Sequence, residues 1–194
     1  SNFVAGVNAG NSIVSGGNNN TLVGDEAGTA ITTGDDNTAV GKSALDSNTT
    51  GLSNTAVGML CLDENSTGNY NTAIGKQALG NNTTASNNTA VGFWSLLANT
   101  TGTRNDALGI SALSSNTTGS HNTSIGGQTL AANTTGANNV AVGSGSLNGN
   151  TTGASNVAVG RLALLVNTTG ANNTASGFEA LLNNTTGSYN EAVG

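Results

Sequence analysis

The stretch NTAVGKSALDSNTTGLS, residues 37–53, decides the architecture, because close copies of it follow one another along most of the chain. If its residues are numbered as repeat positions 1 to 17, the Asn of NTTG at position 12 recurs every 17 residues from Asn48 to Asn184. The Gly at position 5 recurs with the same spacing from Gly24 to Gly194. Constant spacing without an insertion indicates that every unit occupies an equivalent place in a regular repeat structure.

This repeat is too short for a pair of helices, which needs about 33 residues or more, and it predicts one coil of a β-solenoid. Position 4 is usually Val, Ile or Leu, which favour strands, whereas position 3 is usually Ala. We expect a short strand here, with the Val of position 4 and the Leu of position 9 among the buried residues. Gly and Asn are expected at the corners, and the residues leave the local structure of the Ala-Leu segment open.

The predicted fold class is therefore all-β, a parallel β-solenoid or β-roll of about ten 17-residue coils. Residues 20–194 form the repeat rod, which we expect to continue beyond residue 194. Residues 1–19 depart from the pattern, since Asn2, Asn11 and Asn20 are nine residues apart. This departure predicts that residues 1–19 form an irregular first coil or a transition from another domain. A core built from so few large side chains favours association with further copies of the chain.

Composition argues against two classes of partner. Only four Lys and Arg residues are spread along a chain of net charge −6, so there is no basic patch to neutralise phosphates, and no nucleic-acid partner is expected. The longest aliphatic run, residues 162–166, is far shorter than the roughly 20 residues that span a bilayer, so we expect no membrane insertion. The first residues show no signal peptide, and export stays open.

No motif predicts catalysis, a cofactor or a metal site, and we expect no enzyme activity in this segment. Cys61 stands at position 8, where other copies carry Ala, and is interpreted as a small, buried and inert thiol. His121 stands at the variable position 17 and is interpreted as an exposed surface residue rather than a metal ligand.

The Asn residues of NTTG also form N-x-[ST] sequons. Sugars on every coil would collide at a spacing of about 4.8 Å, so turns and side-chain ladders explain this column better.

The Thr files at positions 13 and 14 suggest ice binding as an alternative function. Neighbouring residues of an extended chain point opposite ways, so only one of the two files is expected to face outward.

NTAVG at 37, 54 and 88, with NTAIG at 71, resembles the N-S-V-A-I-G motif in the head repeats of YadA-type trimeric autotransporter adhesins. The 17-residue form with AL and NTTG resembles more closely the repeats of bacteriophage tail fibres and related bacterial trimeric surface fibres. The resemblance covers residues 20–194, although this repeat is longer than the YadA type and its strand motif one residue shorter. It implies a homotrimer of parallel β-rolls, located outside the cell on a bacterial surface or a phage virion.

The sequence thus predicts a structural and adhesive segment of an extracellular trimeric fibre that spaces or presents binding surfaces. The alternatives are a monomeric ice-binding β-solenoid and a passive spacer whose recognition domains lie elsewhere. Phe93 and Trp94 occupy normally polar positions and suit a sugar-stacking platform, a subunit contact or local packing. The candidate contacts for a cell-surface glycan or receptor are Tyr70, Phe93, Trp94, Arg104, His121 and Tyr189.

Overall fold

The chain forms one parallel β-solenoid without helices. A computed structural model describes all 194 residues, and its twelve strands form a single sheet in which each strand pairs in parallel with the next one in sequence. About 11 coils connect them, so the predicted solenoid is confirmed. The strands are β1 (Phe3–Ala5), β2 (Thr21–Val23), β3 (Thr38–Val40), β4 (Thr55–Val57), β5 (Thr72–Ile74), β6 (Thr89–Val91), β7 (Asp106–Leu108), β8 (Thr123–Ile125), β9 (Val140–Val142), β10 (Val157–Val159), β11 (Thr174–Ser176) and β12 (Glu191–Val193).

Strand register follows the repeat. From β2 onward, paired residues lie 17 positions apart, as Thr38 and Thr55 do. Strands β1 and β2 pair with an offset of 18, with Phe3 opposite Thr21. Residues 1–19 therefore contribute a coil to the same sheet, one residue longer than the others.

No helix long and apolar enough to cross a bilayer is present.

The Ala-Leu segment, whose structure the sequence leaves open, is a turn in which Leu adopts the left-handed conformation. The φ angle is 57° at Leu45 and 49° at Leu130, and the same holds for each Leu of position 9. This conformation costs an L-residue roughly 1 kcal/mol or more. Two features offset that cost: the Leu side chain is fully buried in every coil except that of Leu181, and the backbone N–H of Leu45 donates to the carbonyl of Cys61 in the next coil at 2.9 Å.

Gly at position 5 ends each strand, because the coils approach too closely there for a side chain. Gly92 has φ of +135°, and a Cβ atom on it would lie 2.5 Å from the carbonyl oxygen of Gly109 in the next coil. Only glycine adopts this positive φ angle readily and also has no Cβ atom that would collide with the next coil. The corner predicted from composition is therefore a point of backbone-to-backbone packing.

The core is narrow and consists of Ala at positions 3 and 8, Leu at position 9 and Asn at positions 1 and 12. The Val of position 4 lies outside it: Val40 and Val57 are each 36% exposed, and Ile125 is 42% exposed. The expectation that this column is buried is therefore wrong. Side chains alternate along a strand, so with Ala of position 3 facing inward, the residues of positions 2 and 4 face outward.

Both Asn columns form hydrogen-bonded ladders inside the rod, as the sequence predicts for position 12. In that ladder, Asn99 Nδ2 donates to Asn82 Oδ1 at 3.0 Å, and Asn116 Nδ2 donates to Asn99 Oδ1 at 2.9 Å. In the position 1 ladder, the backbone N–H of Asn105 and its Nδ2 both donate to Asn88 Oδ1, at 3.0 and 3.3 Å. The same geometry recurs from coil to coil.

The two ladders meet at the backbone carbonyl of position 15. Gly119 O accepts from Asn105 Nδ2 and from Asn116 Nδ2, both at 2.9 Å. Each side-chain amide thus uses both of its hydrogens, and these buried polar groups are satisfied without water. The NTTG turn of each coil is thereby tied to the start of the adjacent strand.

The first coils fill the core with different residues. Leu22 replaces Ala at position 3, Ile31 replaces Asn at position 12, and Gly28 replaces Leu at position 9. A Cβ on Gly28 would lie 2.8 Å from the side chains of both Leu22 and Ile31. Glycine therefore makes room for the two larger side chains. The preceding coil carries the same kind of set, namely Val4, Gly10 and Ile13.

Replacing Asn99 by Ala removes one rung of the position 12 ladder. The buried amides of Asn82 and Asn116 each lose one partner, which costs roughly 1–3 kcal/mol apiece. We expect the free energy of unfolding, measured by urea denaturation, to fall by about 3–5 kcal/mol. The control is Asn81→Ala, an exposed Asn of a neighbouring coil, with an expected change within about 0.5 kcal/mol. Equal losses in the two variants would show that the ladder does not stabilise the rod.

Gly28→Leu tests whether glycine at position 28 makes room for the larger core side chains of Leu22 and Ile31. The added side chain collides with Leu22 and Ile31, so we expect a loss of about 1–3 kcal/mol in unfolding free energy, seen as a lower melting temperature. The triple variant Leu22→Ala, Gly28→Leu, Ile31→Asn recreates the common coil and extends the ladder by one rung beyond Asn48. It should melt above the single variant. A Gly28→Leu protein as stable as the starting chain would contradict this account.

Candidate functional site

The surface of the rod contains no pocket. Any partner must therefore contact columns of side chains that run parallel to the rod axis, one residue per coil. No group of three or more His, Cys, Asp or Glu side chains is close enough to hold a metal ion. The features that could bind a partner are thus an apolar column, a pair of stacked aromatic rings and a row of polar residues at position 17.

The outward residues of position 4 form an apolar column along the whole sheet, which we call the apolar strand face. Its members are Val23, Val40, Val57, Ile74, Val91, Leu108, Ile125, Val142, Val159 and Val193, with Ser176 interrupting the series. Several are 36–43% exposed, including Leu108 at 40% and Val159 at 43%. In four coils an exposed apolar residue at position 6 borders this face, namely Met59, Phe93, Ile110 and Phe178, whereas four other coils carry a charged residue there: Asp25, Lys42, Lys76 and Arg161. Contiguous apolar surface of this kind is typical of a protein interface.

Sequence reasoning missed this face because it assigned Val of position 4 to the core. One signal could have revealed it: position 3 accepts almost only Ala, whereas position 4 accepts Val, Ile, Leu and Ser. A position that tolerates several shapes in a narrow rod lies outside the close-packed interior.

Four of the six predicted contact residues lie in one column, at position 17. Tyr70, Arg104, His121 and Tyr189 all adopt left-handed backbone conformations, with φ between 56° and 60°. Arg104 and His121 stand in successive coils, and Arg104 Nη1 lies 3.3 Å from His121 Nε2. The two tyrosines are several coils apart and do not contact each other. His121 is exposed, as predicted.

Phe93 and Trp94 form a second, separate group. Their rings are stacked, with centroids 4.5 Å apart and an interplanar angle of 23°. Trp94 Nε1 donates to Gln77 Oε1 at 2.9 Å, and 41% of Trp94 remains exposed. Sequence reasoning did not single out Gln77. Alignment of the repeats could have found it, because Gln77 precedes Trp94 by one repeat at position 7.

The position 12 Asn residues from Asn48 to Asn167 are buried, and their Nδ2 atoms are committed to hydrogen bonds inside the rod. Asn133 Nδ2 donates to Asn116 Oδ1 at 2.8 Å and to Gly136 O at 3.0 Å, and no part of its side chain is exposed. A sugar on Nδ2 would break both bonds and open the core. The ladder interpretation of this column therefore agrees with the folded structure.

Cys61 is buried, as predicted, and its Sγ donates to the carbonyl of Ala73 at 3.0 Å. Burial raises the pKa of the Cys61 thiol to about 12. The nucleophilic thiolate is therefore scarce near neutral pH.

Three acids lie near one another in the first third of the rod, without forming a metal-binding cluster. Burial raises the pKa of Asp63, and the neighbouring carboxylates of Asp46 and Glu64 raise it further. Asp46 and Asp63 stand at position 10 of successive coils, so the repeat itself places like charges side by side. This arrangement costs stability and suggests no ligand.

The geometry thus leaves the apolar strand face, the position 17 row and the pair of stacked rings as surfaces for contact. Comparison of the chain with models of known protein families, with curated proteins and with solved structures gives no match.

Proposed function

We propose that this chain is a structural and adhesive segment of an extracellular fibre, in which three identical rods pack side by side. The observation that carries the proposal is the apolar strand face. It runs along the rod from Val23 to Val193 with one interruption at Ser176, and several of its members are 36–43% exposed. Burying it against another copy removes exposed Val, Ile and Leu from water.

The size of this face suits subunit packing. The outward side of the strands, from position 2 to position 5, measures about 50 Å by about 10 Å, given about 4.8 Å per coil and about 3.3 Å per strand residue. This projected area is of the same order as the roughly 800 Å² that each partner buries in a standard interface. Rods arranged around a common parallel axis bring the same coil of each chain to the same height, so that like residues meet and the assembly closes.

The number three and the location outside the cell rest on the resemblance to YadA-type heads and phage tail fibres. A closed assembly of rods would hold its remaining surfaces at fixed spacing. The exposed groups outside the strand face, such as Tyr70 and Arg104, would then be presented in several copies. Weak contacts repeated in this way give useful avidity toward a cell-surface glycan or receptor. A passive spacer would lack such binding and would keep only the assembly.

The test of assembly uses two Asp substitutions in adjacent coils. Light scattering should give the intact chain a mass of three times 18.8 kDa. Leu108→Asp with Ile125→Asp should reduce it to a folded monomer, because the charges cannot be buried between subunits. The matched control, Thr118→Asp with Thr135→Asp, adds the same charges to the same coils on another face and should keep the trimer. A folded monomer for the unmodified chain would refute the proposal.

A second candidate function, ice binding by the monomer, is favoured by the Thr residues of position 14. All ten are exposed, and their hydroxyls make no hydrogen bond to the protein: Thr33, Thr50, Thr67, Thr84, Thr101, Thr118, Thr135, Thr152, Thr169 and Thr186. The position 13 file is different, because its hydroxyls donate to carbonyls of the next coil, as Thr117 does to Thr134 at 3.1 Å. One uninterrupted file at about 4.8 Å spacing thus remains available to order water.

Ice binding predicts that the purified chain shows thermal hysteresis and that Thr101→Lys with Thr118→Lys abolishes it. Each Lys places a mobile charge in the middle of the file. The control substitutions, Ser115→Lys with Asn138→Lys, lie on exposed positions outside the file and should leave hysteresis unchanged. Absence of hysteresis in the unmodified protein would remove this candidate.

A further inference from the structure

We propose that the stacked pair Phe93 and Trp94 is a binding platform for an uncharged, β-1,4-linked polysaccharide that lies along the rod axis. The proposal rests on the adhesive function above and names the ligand class for one surface of the rod. The chain contains a single Trp, and the structure holds its indole in place while leaving a large part of it exposed.

The platform is rigid in two respects. Stacking at 4.5 Å fixes the two rings against each other, and the bond from Trp94 Nε1 to Gln77 Oε1 fixes the indole relative to the preceding coil. A ring held in this way loses little conformational freedom on binding, which favours association. The exposed faces of aromatic rings suit the apolar C–H faces of pyranose sugars.

Polar partners for sugar hydroxyls follow in the same column. Position 7 carries Gln77, Trp94, Ser111 and Gln128 in four successive coils. Their φ angles lie between 54° and 59°, so the side chains leave the rod in the same direction. The hydroxyl of Ser111, the amide of Gln128 and the Nε2 of Gln77 have no hydrogen-bond partner in the protein. They offer donors and acceptors on both sides of the Trp94 ring.

Spacing selects an extended polymer. Successive coils are about 4.8 Å apart, which is close to the advance of one pyranose ring in a ribbon-like β-1,4 chain. One ring can therefore stack on Trp94 while the neighbouring rings face Gln77 and Ser111. A polysaccharide whose linkages coil the chain into a helix would leave the column of successive coils after one or two sugars.

Two further observations define the ligand. The rod has no pocket that could enclose a small molecule, so affinity must come from contacts repeated along a long chain and between rods. The position 7 row from Gln77 to Gln128 bears no charge, position 6 of the same four coils carries one charged residue, Lys76, and the overall charge of the protein is −6. An uncharged polysaccharide therefore fits better than an acidic one.

The experiment is affinity electrophoresis of the intact chain in native gels that contain hydroxyethylcellulose, galactomannan or carboxymethylcellulose. The two neutral polymers should retard the protein, and the carboxylated polymer should retard it less. Trp94→Ala should weaken the apparent association with the neutral polymers at least tenfold. Phe178→Ala, which removes another exposed aromatic residue from position 6 far along the rod, is the control and should bind as the unmodified chain does. Far-UV circular dichroism verifies that both variants are folded.

Light scattering on the same samples separates this proposal from the fibre proposal. Loss of retardation by Trp94→Ala with unchanged mass supports the platform. If the chain is monomeric and its retardation still depends on Trp94, the trimer proposal is refuted and the platform proposal is supported. The platform is refuted if neither neutral polymer retards the chain, if Trp94→Ala binds undiminished, or if Trp94→Ala loses binding only because it lowers the mass, which would make Trp94 a subunit contact.

Discussion

The side-chain amides of the two Asn columns set the geometry on which the rest of the rod depends. Each amide bonds to its counterpart one repeat away and to the position 15 carbonyl, as Asn116 does to Asn99 and Gly119. Where both columns are present, the two amides and their shared carbonyl recur every 17 residues, in agreement with the unbroken spacing of those coils. The 18-residue first coil has no Asn at position 12 and keeps only the position 1 ladder, in which Asn20 Nδ2 donates to Asn2 Oδ1 at 3.3 Å. The ladders also hold the coils close enough for the Gly backbones of position 5 to touch.

The Asn residues inside the rod determine which residues of each strand lie on its surface. In the regular coils, Leu of position 9 and the two Asn columns leave room for little more than Ala at position 3. Val, Ile and Leu of position 4 consequently face outward. The polar interior and the apolar strand face are therefore two consequences of one packing arrangement, and the second of them favours lateral association.

Much of this could be predicted from the repeat alone: the parallel sheet, the coil length and the position 12 ladder follow from equivalent residues at constant spacing. The sequence analysis placed Val57 in the core, but its side chain faces outward. Alternation along a strand shows that neighbouring side chains point to opposite sides, and it does not show which of the two sides is buried. The left-handed Leu residues could not be predicted, since Leu seldom adopts that conformation and only burial compensates for it. Among the candidate contacts, Phe93 and Trp94 meet because they are adjacent in sequence, whereas the pairing of Arg104 with His121 required the register.

The equivalence of the middle coils has a consequence for the gene. Unequal recombination between neighbouring copies of the repeat would insert or delete whole units of 17 codons. A coil gained in this way would meet amide partners above and below and would need no compensating change elsewhere. The reach of the molecule can therefore evolve in steps of about 4.8 Å, while its cross-section and its surface columns stay constant.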